Sequence, residues 1–503
     1  MLASTNGIQS CGVELGELSR EPSALLALRQ HIHSRIRPTV PRATFPVSWY
    51  LLLSSSTYFV FLVGIFLLYW PLARVRALAL AVILLANYFF YAKWDLRYLA
   101  LIPAASTCDF LLGWGLQSSK TPWIRRALVT ASIVMNIGIL AVLRYIPVST
   151  VALPLTLSFY VFQALTYTID IYRGDAKGTR SYLAHLAAVS FFPTTLAGPI
   201  TRVSSLIDQF EKRKQLDPAD GGRALFLIGM GLMKKLLIAD YLSSNLVNRV
   251  FDFPTLYTGA ETLVAVYAYA LQIYYDFSGY TDIAMGSALL LGIKLPANFN
   301  RPYAAENIAD FWRRWHISLS NWLRDYVYFS LPGKRSKIFS YVNLVITMVI
   351  GGLWHGANWN FVIWGALHGF GLAFVRLWQT QSGTAKTAIS SSPWWRYASI
   401  VLTFHYVTFA WVFFRAPSFD IALAILGRIA SLSVSFANIS GPLLLVLLIG
   451  TLAHYVPRKW YDWSLNLYVK APFYAQAAVL ALLALGLQNV VQSGAAPFIY
   501  TRF

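Results

Sequence analysis

The chain has 503 residues, of which 57% are apolar and only 12% are charged. A soluble protein carries about twice that share of charged residues, so the composition excludes an ordinary water-soluble protein, and an aromatic share of 16% excludes intrinsic disorder. The formal net charge of +20 is typical of basic loops on the cytoplasmic side of a bilayer, which we prefer to a nucleic-acid partner. The sequence predicts an all-α integral membrane protein in a lipid bilayer.

Residues 1–49 contain no long apolar run, which predicts a poorly ordered N-terminal extension. From residue 50 onward, apolar runs recur that approach the roughly 20 residues needed to cross a bilayer as a helix. They predict about 11–13 transmembrane or re-entrant helices within a membrane domain over residues 50–503. The clearest runs are Tyr50–Trp70, Ala77–Tyr91, Tyr98–Leu116, Ala127–Val142, Leu153–Tyr172, Ala224–Leu242, Leu263–Phe277, Ile338–Leu353, Phe361–Leu377, Ala398–Phe414, Pro442–Val456 and Ala475–Val491.

Basic residues are concentrated in short connections between these runs. The positive-inside rule makes such connections candidates for the cytoplasmic side. They do not alternate regularly along the chain, as is expected when some segments are re-entrant or lie in the interface. They comprise Arg74, Arg76, Lys120, Arg125, Arg126, Lys212, Arg213, Lys214, Lys334, Arg335 and Lys337.

Two carboxylates, Asp276 and Asp282, lie six residues apart in the middle of the chain. At a helix break such residues would orient a histidine or cap a helix N-terminus, and capping is the interpretation that we prefer.

A tryptophan-rich segment follows at residues 307–326, with Asp310, Arg313 and Arg314 off its apolar face. The spacing of its apolar residues predicts one stripe along a single amphipathic helix, in the membrane interface or at its edge. The tryptophans are typical of simple anchoring, whereas His316 places a titratable ring on the buried face. The stripe comprises Trp312, Trp315, His316, Leu319, Trp322, Leu323 and Tyr326.

The 38 residues between Lys337 and Arg376 contain no Asp, Glu, Lys or Arg, which is enough for two crossings. Glycines and asparagines around His355 weaken a helix, so the sequence predicts this histidine at a break between two helices, facing protein or water. An ionisable group there suits proton transfer, and a hydrogen bond that bridges two helices is the alternative. We interpret His368, one helix further on, as structural.

The sequence lacks the motifs of several enzyme classes. There is no HExxH, no Walker loop and no GxSxG elbow, so zinc peptidases, P-loop ATPases and α/β-hydrolases have no support. The spacing of the histidines and carboxylates does not indicate a metal site. Cys108 is interpreted as a small core residue.

Several segments, in order, resemble signatures of the membrane-bound O-acyltransferase family. The match is most similar to the bacterial branch with the alginate O-acetyltransferase membrane subunit and the teichoic acid D-alanyl transferase. The resemblance covers about residues 50–503, with core motifs over 192–368. Thr195 and Thr501 differ from the usual residues of these motifs, and neither difference affects a signature histidine. The segments are Phe192–Arg202, Asp276–Asp282, Asn298–Tyr303, Asp310–Ser320, Gly352–Ala357 and Pro497–Phe503.

The resemblance implies that His355 is the catalytic residue on a central tunnel through the membrane, and that His316, the second signature histidine, has a supporting role in catalysis. It implies transfer of an acyl group, with acetyl-CoA as donor substrate and no bound cofactor, from the cytoplasm across a bacterial inner membrane. The acceptor would be an exported polysaccharide or a periplasmic relay acetyltransferase. We expect neutral His355 to take the proton of an acceptor hydroxyl as that oxygen attacks the thioester.

Further residues are expected to support the site. Arg313 and Arg314 are candidates for donor binding because coenzyme A carries phosphates. The candidates for supporting or tunnel-lining roles are Trp354, Asn358, Asp276, Asp310, Trp312 and Trp315.

Three other functions stay open at this point. A transporter or flippase would also bury histidines and aspartates, although the polar motifs cluster in residues 192–360 instead of forming two related halves. An inactive scaffold for a periplasmic acetyltransferase and D-alanyl transfer to teichoic acid are the others.

Overall fold

Helices form every regular element of the described chain in the computed structural model, and these residues contain no strand. The structure describes residues 53–491 except 94–95, 146–154, 196–197, 213–214, 216, 334–335 and 382–392. The predicted extension over residues 1–49 and the motif Pro497–Phe503 lie outside the described residues. The all-α prediction is confirmed.

Each of the twelve predicted apolar runs forms a helix or lies mostly within one. The first are α1 (Ser56–Leu72), α2 (Arg76–Ala92), α3 (Tyr98–Ser118), α4 (Pro122–Tyr145), α5 (Leu155–Arg173), α6 (Tyr182–Val189) and α7 (Val203–Glu211). Next come α8 (Pro218–Leu232), which continues into π-helical turns at Met233–Ala239 and Ser243–Val247, then α9 (Gly259–Leu290), α10 (Ile308–Arg314) and α11 (Ile317–Trp322). The last are α12 (Lys337–His355), α13 (Trp359–Gln381), α14 (Pro393–Arg415), α15 (Phe419–Ala430), α16 (Gly441–Tyr455), α17 (Arg458–Lys470) and α18 (Phe473–Val491).

Within the described residues, five helices are long and apolar enough to cross a membrane, namely α3, α4, α12, α13 and α14. The bent pair α16–α17 would be a sixth, and α1, α2 and α18 are apolar but shorter. The expected 11–13 helices exceed this number because they include helices with polar buried faces. In α5, for example, Gln163, Thr166 and Asp170 are buried; such a helix needs less apolar surface because protein surrounds it. The chain is a multi-pass membrane protein.

The longest helix, α9, is buried along most of its length. A capping box closes its N-terminus, where the side chains of Thr258 and Glu261 bond each other's backbone N–H. α8 packs directly on α9 because Gly231 and Gly279 face each other. A Cβ on Gly279 would lie 2.7 Å from the carbonyl oxygen of Gly231. This close packing makes α8 and α9 one rigid support for the functional region.

α12 and α13 form an antiparallel hairpin with a short connecting turn. A Cβ on Gly352 would collide with the carbonyl group of Phe361, and one on Gly365 with that of Met348. Only glycine permits such an approach, so the two helices hold one register. The hairpin therefore places His355, the last residue of α12, in a fixed position.

The bent pair carries an amphipathic helix. α16 and α17 meet at 92°, and α17 exposes Trp460 and Trp463 on its surface. Arg458 and Lys470 lie at its two ends. A helix with exposed tryptophans and basic residues is typical of the membrane interface.

Basic side chains from connections far apart in the sequence meet at one end of the bundle. Arg76 pairs with Glu211 at 3.1 Å, while Arg173 and Arg202 both bond Asp325. We call this region the basic end. Its cations are Arg76, Arg125, Arg173, Arg202, Lys294, Arg324 and Arg376. Of the basic residues that the sequence predicts on the cytoplasmic side, Arg76 and Arg125 belong to this cluster.

Candidate active site

His355 lies at the break between α12 and α13, as the sequence predicts, and its side chain is 4% exposed. α12 begins beside the basic end, where Ser340 bonds Tyr328 and the latter bonds Arg376. From Ser340 to His355, the last residue of α12, the helix advances about 22 Å, given a rise of about 1.5 Å per residue. The imidazole is therefore buried several helical turns away from the start of α12.

Aromatic rings surround the His355 imidazole. Its ring centroid lies 4.7 Å from that of Trp354, 4.9 Å from Phe414 and 5.3 Å from Trp364. Phe361 follows at 6.2 Å. This packing fixes the imidazole plane, and such rigidity is what a positioned proton-transfer group requires.

Two of these rings carry unsatisfied donors. The indole N–H groups of Trp354 and Trp364 are buried and have no acceptor within the described chain. The indole N–H of Trp312, in contrast, has an acceptor, because it donates to Nδ1 of His368 at 3.2 Å. An unmade buried hydrogen bond costs about 1–3 kcal/mol. Free donors beside a histidine are suited to bind a substrate oxygen.

The chain around His316 interrupts the single helix predicted over residues 307–326. α10 ends at Arg314, Trp315 is extended, and His316 has φ 40° and ψ 54°, in the left-handed region. On each side of His316, a backbone hydrogen bond of 2.9 Å to residues 298–300 takes the place of a helical hydrogen bond. The helix prediction is wrong here. The spacing of apolar residues shows which side chains are buried, but it does not show where the backbone hydrogen bonds leave the helical pattern.

The tryptophans of this segment are also not interfacial anchors. Trp312, Trp315 and Trp322 are 7%, 2% and 7% exposed. The anchoring interpretation is therefore wrong, because these rings fill the protein interior. Trp315, for example, packs against Trp411 at 5.1 Å between centroids.

The His316 ring is buried beside the same region as His355. Phe277 of α9 meets it edge-on at 4.6 Å, and Phe159 of α5 stacks on it at 6.3 Å. Its Nδ1 lies 3.2 Å from Oδ1 of Asn298, whereas Nε2 has no hydrogen-bond partner among the described residues. The Trp354 ring, at 6.4 Å, is a neighbour shared with His355. The fold thus brings the two predicted histidines to one aromatic cluster.

A cavity of about 550 Å³ lies at the basic end. Its inner lining includes Ser318 and Trp322, which follow His316 closely in the chain. Its charged lining residues are Arg202, Lys294, Arg324 and Asp325. The cavity therefore has a net positive lining and approaches the histidine cluster from the basic side.

Stacked rings separate this cavity from His355. Trp322 stacks on Phe162 at 3.8 Å between centroids, and Phe162 stacks on Trp354 at 5.2 Å. Trp354 in turn contacts His355. The cavity and the histidine are thus joined by one continuous aromatic stack.

Asp276 and Asp282 neither cap a helix nor lie at a break, because both lie within α9. Asp276 pairs with Lys235 at 2.5 Å, and Asp282 pairs with Lys234 at 2.5 Å. Lys235 also contacts Asp240 at 2.7 Å. The capping prediction is wrong because both lysines come from a π-helical turn that is distant in sequence. A supporting role of Asp276 in the reaction stays a prediction.

Asp310 belongs to the first turn of α10, where it pairs with Arg314 at 2.8 Å and Arg313 at 3.5 Å. Neither arginine is among the residues that line the described cavity. Their predicted role in donor binding stays a prediction, as does a supporting role of Asp310.

Asn358 closes the turn after His355. Its Oδ1 accepts from the backbone of Asn360 at 3.0 Å, and its Nδ2 donates to Pro417 O at 3.3 Å. His368 is fully buried and holds the Trp312 indole, which fits its structural interpretation. These contacts define the shape of the site, and the predicted substrate roles of Asn358, Trp312 and Trp315 stay predictions.

Cys108 is exposed on the outside of α3, so its assignment to the core is wrong. A small apolar side chain suits the lipid-facing side of a helix as well as the interior. Among the residues that the structure describes, no three His, Cys, Asp or Glu side chains form a group that could hold a metal ion.

Sequence reasoning missed several residues of this region. Asn298 and Arg202 lie within motifs that the sequence displays, so a signal for them existed. Trp364, Phe414 and Lys294 carry no local signal, because only the packing of distant helices brings them to the site.

Comparison with known proteins decides the family. The model of the membrane-bound O-acyltransferase family, MBOAT, matches residues 173–418. A probable alginate O-acetylase AlgI of Azotobacter vinelandii is 39% identical over 394 residues, which are 73% of this chain and 76% of the relative. The chain belongs to the membrane-bound O-acyltransferase family.

Two further relatives show the breadth of this O-acyltransferase family. A peptidoglycan O-acetyltransferase of Helicobacter pylori is 32% identical over 401 residues, 71% of this chain and 75% of the relative. A teichoic acid D-alanyltransferase of Bacillus subtilis is 28% identical over 279 residues, 53% of this chain and 69% of the relative. The family resemblance predicted from the motifs is confirmed, and the protein is a membrane-bound O-acyltransferase.

Proposed function

We propose that this O-acyltransferase moves an acetyl group from acetyl-CoA, bound at the basic end, to hydroxyl groups of an exported polysaccharide. His355 acts as the general base. The observation that carries the proposal is the placement of buried His355, with unsatisfied indole donors beside it, across a ring stack from a basic cavity.

The donor side follows from charge. Coenzyme A carries phosphates, and Arg202, Lys294 and Arg324 supply cations on the cavity wall. The positive-inside rule orients a basic end toward the cytoplasm, where thioesters are available. The protein then lies in the bacterial inner membrane with His355 toward the outer side.

One base is sufficient for the proton transfers of this reaction. The acceptor hydroxyl gives its proton to an imidazole nitrogen of His355 as its oxygen bonds to the acetyl carbon. The indole N–H groups of Trp354 and Trp364 stabilise the charge that develops on the carbonyl oxygen. The carbon–sulfur bond then breaks, and the thiolate takes up the proton held by His355.

The acceptor follows from the relatives. Those named as O-acetylases of alginate or peptidoglycan are more similar to this chain than the D-alanyltransferase is. We therefore propose a glycan hydroxyl as the acetyl acceptor, reached directly or through a periplasmic relay acetyltransferase. D-alanyl transfer is the second candidate, which the same assay tests with a D-alanyl thioester.

The test uses the full chain purified into lipid nanodiscs with radiolabelled acetyl-CoA and either deacetylated alginate or peptidoglycan. We expect release of free thiol that depends on acceptor, together with label in the glycan. His355→Ala should lower the rate about 10²–10⁴-fold. His405→Ala, at an exposed histidine that bonds Tyr267, is the matched control and should retain the rate. A folded His355→Ala protein with a normal rate would contradict the proposal.

A further inference from the structure

We infer that Asn298 is a positioning residue that holds His316 in one tautomer, with its proton on Nδ1 and a lone pair on Nε2. The inference rests on the proposed function for its effect on transfer. The tautomer itself follows from hydrogen-bond directions that the described backbone determines.

The orientation of the Asn298 amide is the first step. The backbone nitrogen of Ser318 lies 3.1 Å from Oδ1 of Asn298. A backbone N–H can only donate, so the side-chain atom that faces it must be the oxygen and not the amide nitrogen. The assignment of Oδ1 and Nδ2 in Asn298 is thereby fixed by chemistry.

The Ser318 hydroxyl supports the same direction. Its oxygen accepts from the backbone N–H of Ile200 at 2.9 Å and donates to Asn298 Oδ1 at 2.8 Å. The amide oxygen therefore accepts two hydrogen bonds from Ser318. Both Ile200 and Ser318 also line the cavity at the basic end, so the network joins the cavity wall to the histidine.

The third contact determines the tautomer. Nδ1 of His316 lies 3.2 Å from the same amide oxygen. Because that oxygen cannot donate, Nδ1 must carry the hydrogen. In a neutral imidazole the other nitrogen, Nε2, then holds a lone pair. Nε2 is buried, and the described chain offers it no donor.

Packing prevents the ring from turning to another arrangement. The Ile317 backbone N–H donates to the carbonyl oxygen of Asn298 at 2.9 Å, which holds the two segments together. Phe159 and Phe277 contact the His316 ring from two directions. A flipped imidazole would give up its bond to Asn298 inside this aromatic packing.

This tautomer determines which hydrogen bonds His316 can make with a substrate. Nε2 of His316 can accept a hydrogen bond from a substrate hydroxyl and cannot donate one to the acetyl carbonyl. His316 therefore serves the hydroxyl-bearing acceptor, and Asn298 sets this property without contacting the substrate.

The test compares three variants of the full chain in nanodiscs. Asn298→Leu removes the acceptor at similar volume, and Asn298→Asp keeps an oxygen acceptor for all three donors. Asn87→Leu is the matched control, because Asn87 is a buried asparagine that makes three hydrogen bonds with the segment around residue 190. The ¹⁵N resonances of labelled histidine distinguish protonated from bare imidazole nitrogens, and His316→Asn identifies the signals of His316.

We expect wild-type protein and Asn298→Asp to show protonated Nδ1 at His316, and Asn298→Leu to show a tautomer mixture. Glycan acetylation should fall at least about tenfold in Asn298→Leu, with the KM for acetyl-CoA unchanged, and should recover substantially in Asn298→Asp. Asn87→Leu should change neither readout.

Protonated Nε2 in the wild type, or an unchanged tautomer in Asn298→Leu, would overturn the inference. A changed tautomer with normal glycan acetylation would overturn the positioning role. If wild-type protein transfers no acetyl group, the proposed function fails, and the ¹⁵N resonances still decide the tautomer.

Discussion

Trp322 stacks face to face on Phe162, with ring centroids 3.8 Å apart and planes within 3°. The indole N–H of Trp322 also donates to the carbonyl oxygen of Phe162 at 2.9 Å. The indole therefore cannot swing away without losing both contacts. Because this pair lies between the basic cavity and the rings around His355, the route that we propose for the acetyl group passes this pair.

Replacing Trp322 should therefore change the access of water to the thioester without removing the proposed general base. Trp322→Ala opens a path for water to the thioester, so we expect thiol release without acceptor to rise severalfold, because water exclusion is lost. Trp322→Phe retains a stacked ring and should keep acceptor-independent release low. The measurement is thiol release from acetyl-CoA with and without glycan. Equal hydrolysis by both variants would show that the ring is no barrier.

The ion pairs of Lys235 should contribute strongly to stability. Lys235→Met removes the cation from Asp276 and Asp240, and loss of one partner from a buried pair typically costs about 3–5 kcal/mol. Asp276→Asn should cost less, because Lys235 keeps its 2.7 Å contact with Asp240. Thermal unfolding followed by tryptophan fluorescence measures both effects.

The control for these ion pairs is Arg458→Ala. Arg458 and Asp462 form an exposed pair at 3.5 Å, and exposed pairs contribute about 0–1 kcal/mol. An unfolding temperature of Lys235→Met as high as that of Arg458→Ala would refute a stabilising role.

The hairpin of α12 and α13 should not tolerate a side chain at its contact. Gly352→Ala forces a Cβ against the Phe361 carbonyl group, and overpacking of this kind costs about 1–3 kcal/mol. We expect a lower unfolding temperature and slower transfer, since His355 follows three residues later. Gly138→Ala is the matched helical control, because nothing lies within 4 Å of its Cβ. Similar losses in both variants would point to a general effect of glycine replacement.

The cations of the cavity should determine affinity for the donor. We expect Lys294→Glu and Arg324→Glu each to raise the KM for acetyl-CoA about tenfold, because each reverses a charge in the cavity that we propose to hold the phosphates. The effect should shrink at high salt, since salt screens exposed charges. Arg458→Glu, at an exposed residue of α17, is the charge-matched control. Steady-state rates at two ionic strengths test this, and a KM independent of the cavity charges would place the donor elsewhere.

The helical class and the place of His355 could be predicted from the sequence because both depend on local patterns. Apolar run length predicts a helix in a membrane, and glycines and asparagines between two uncharged runs indicate a break. The interpretation of Trp312 and Trp322 as interfacial anchors is wrong for a physical reason. The spacing of residues shows that they share one face of a helix, but it does not show whether lipid or protein covers that face.

Contacts between distant segments could not be predicted. Lys235 and Asp276 are 41 residues apart, and neither position alone indicates the other. The break before His316 was hidden because the apolar spacing continues through it. Asn298 was visible as part of a motif, but its role depends on the backbone directions of Ser318, which only the fold provides.

The left-handed backbone of His316 has a practical consequence for anyone who alters that position. β-Branched residues adopt φ 40° with considerable strain, whereas asparagine populates this region several-fold more readily than most residues. Loss of activity after replacement by valine would therefore mix conformational damage with the missing imidazole. Asparagine keeps the turn accessible and is the substitution whose kinetic effect reports on the ring itself.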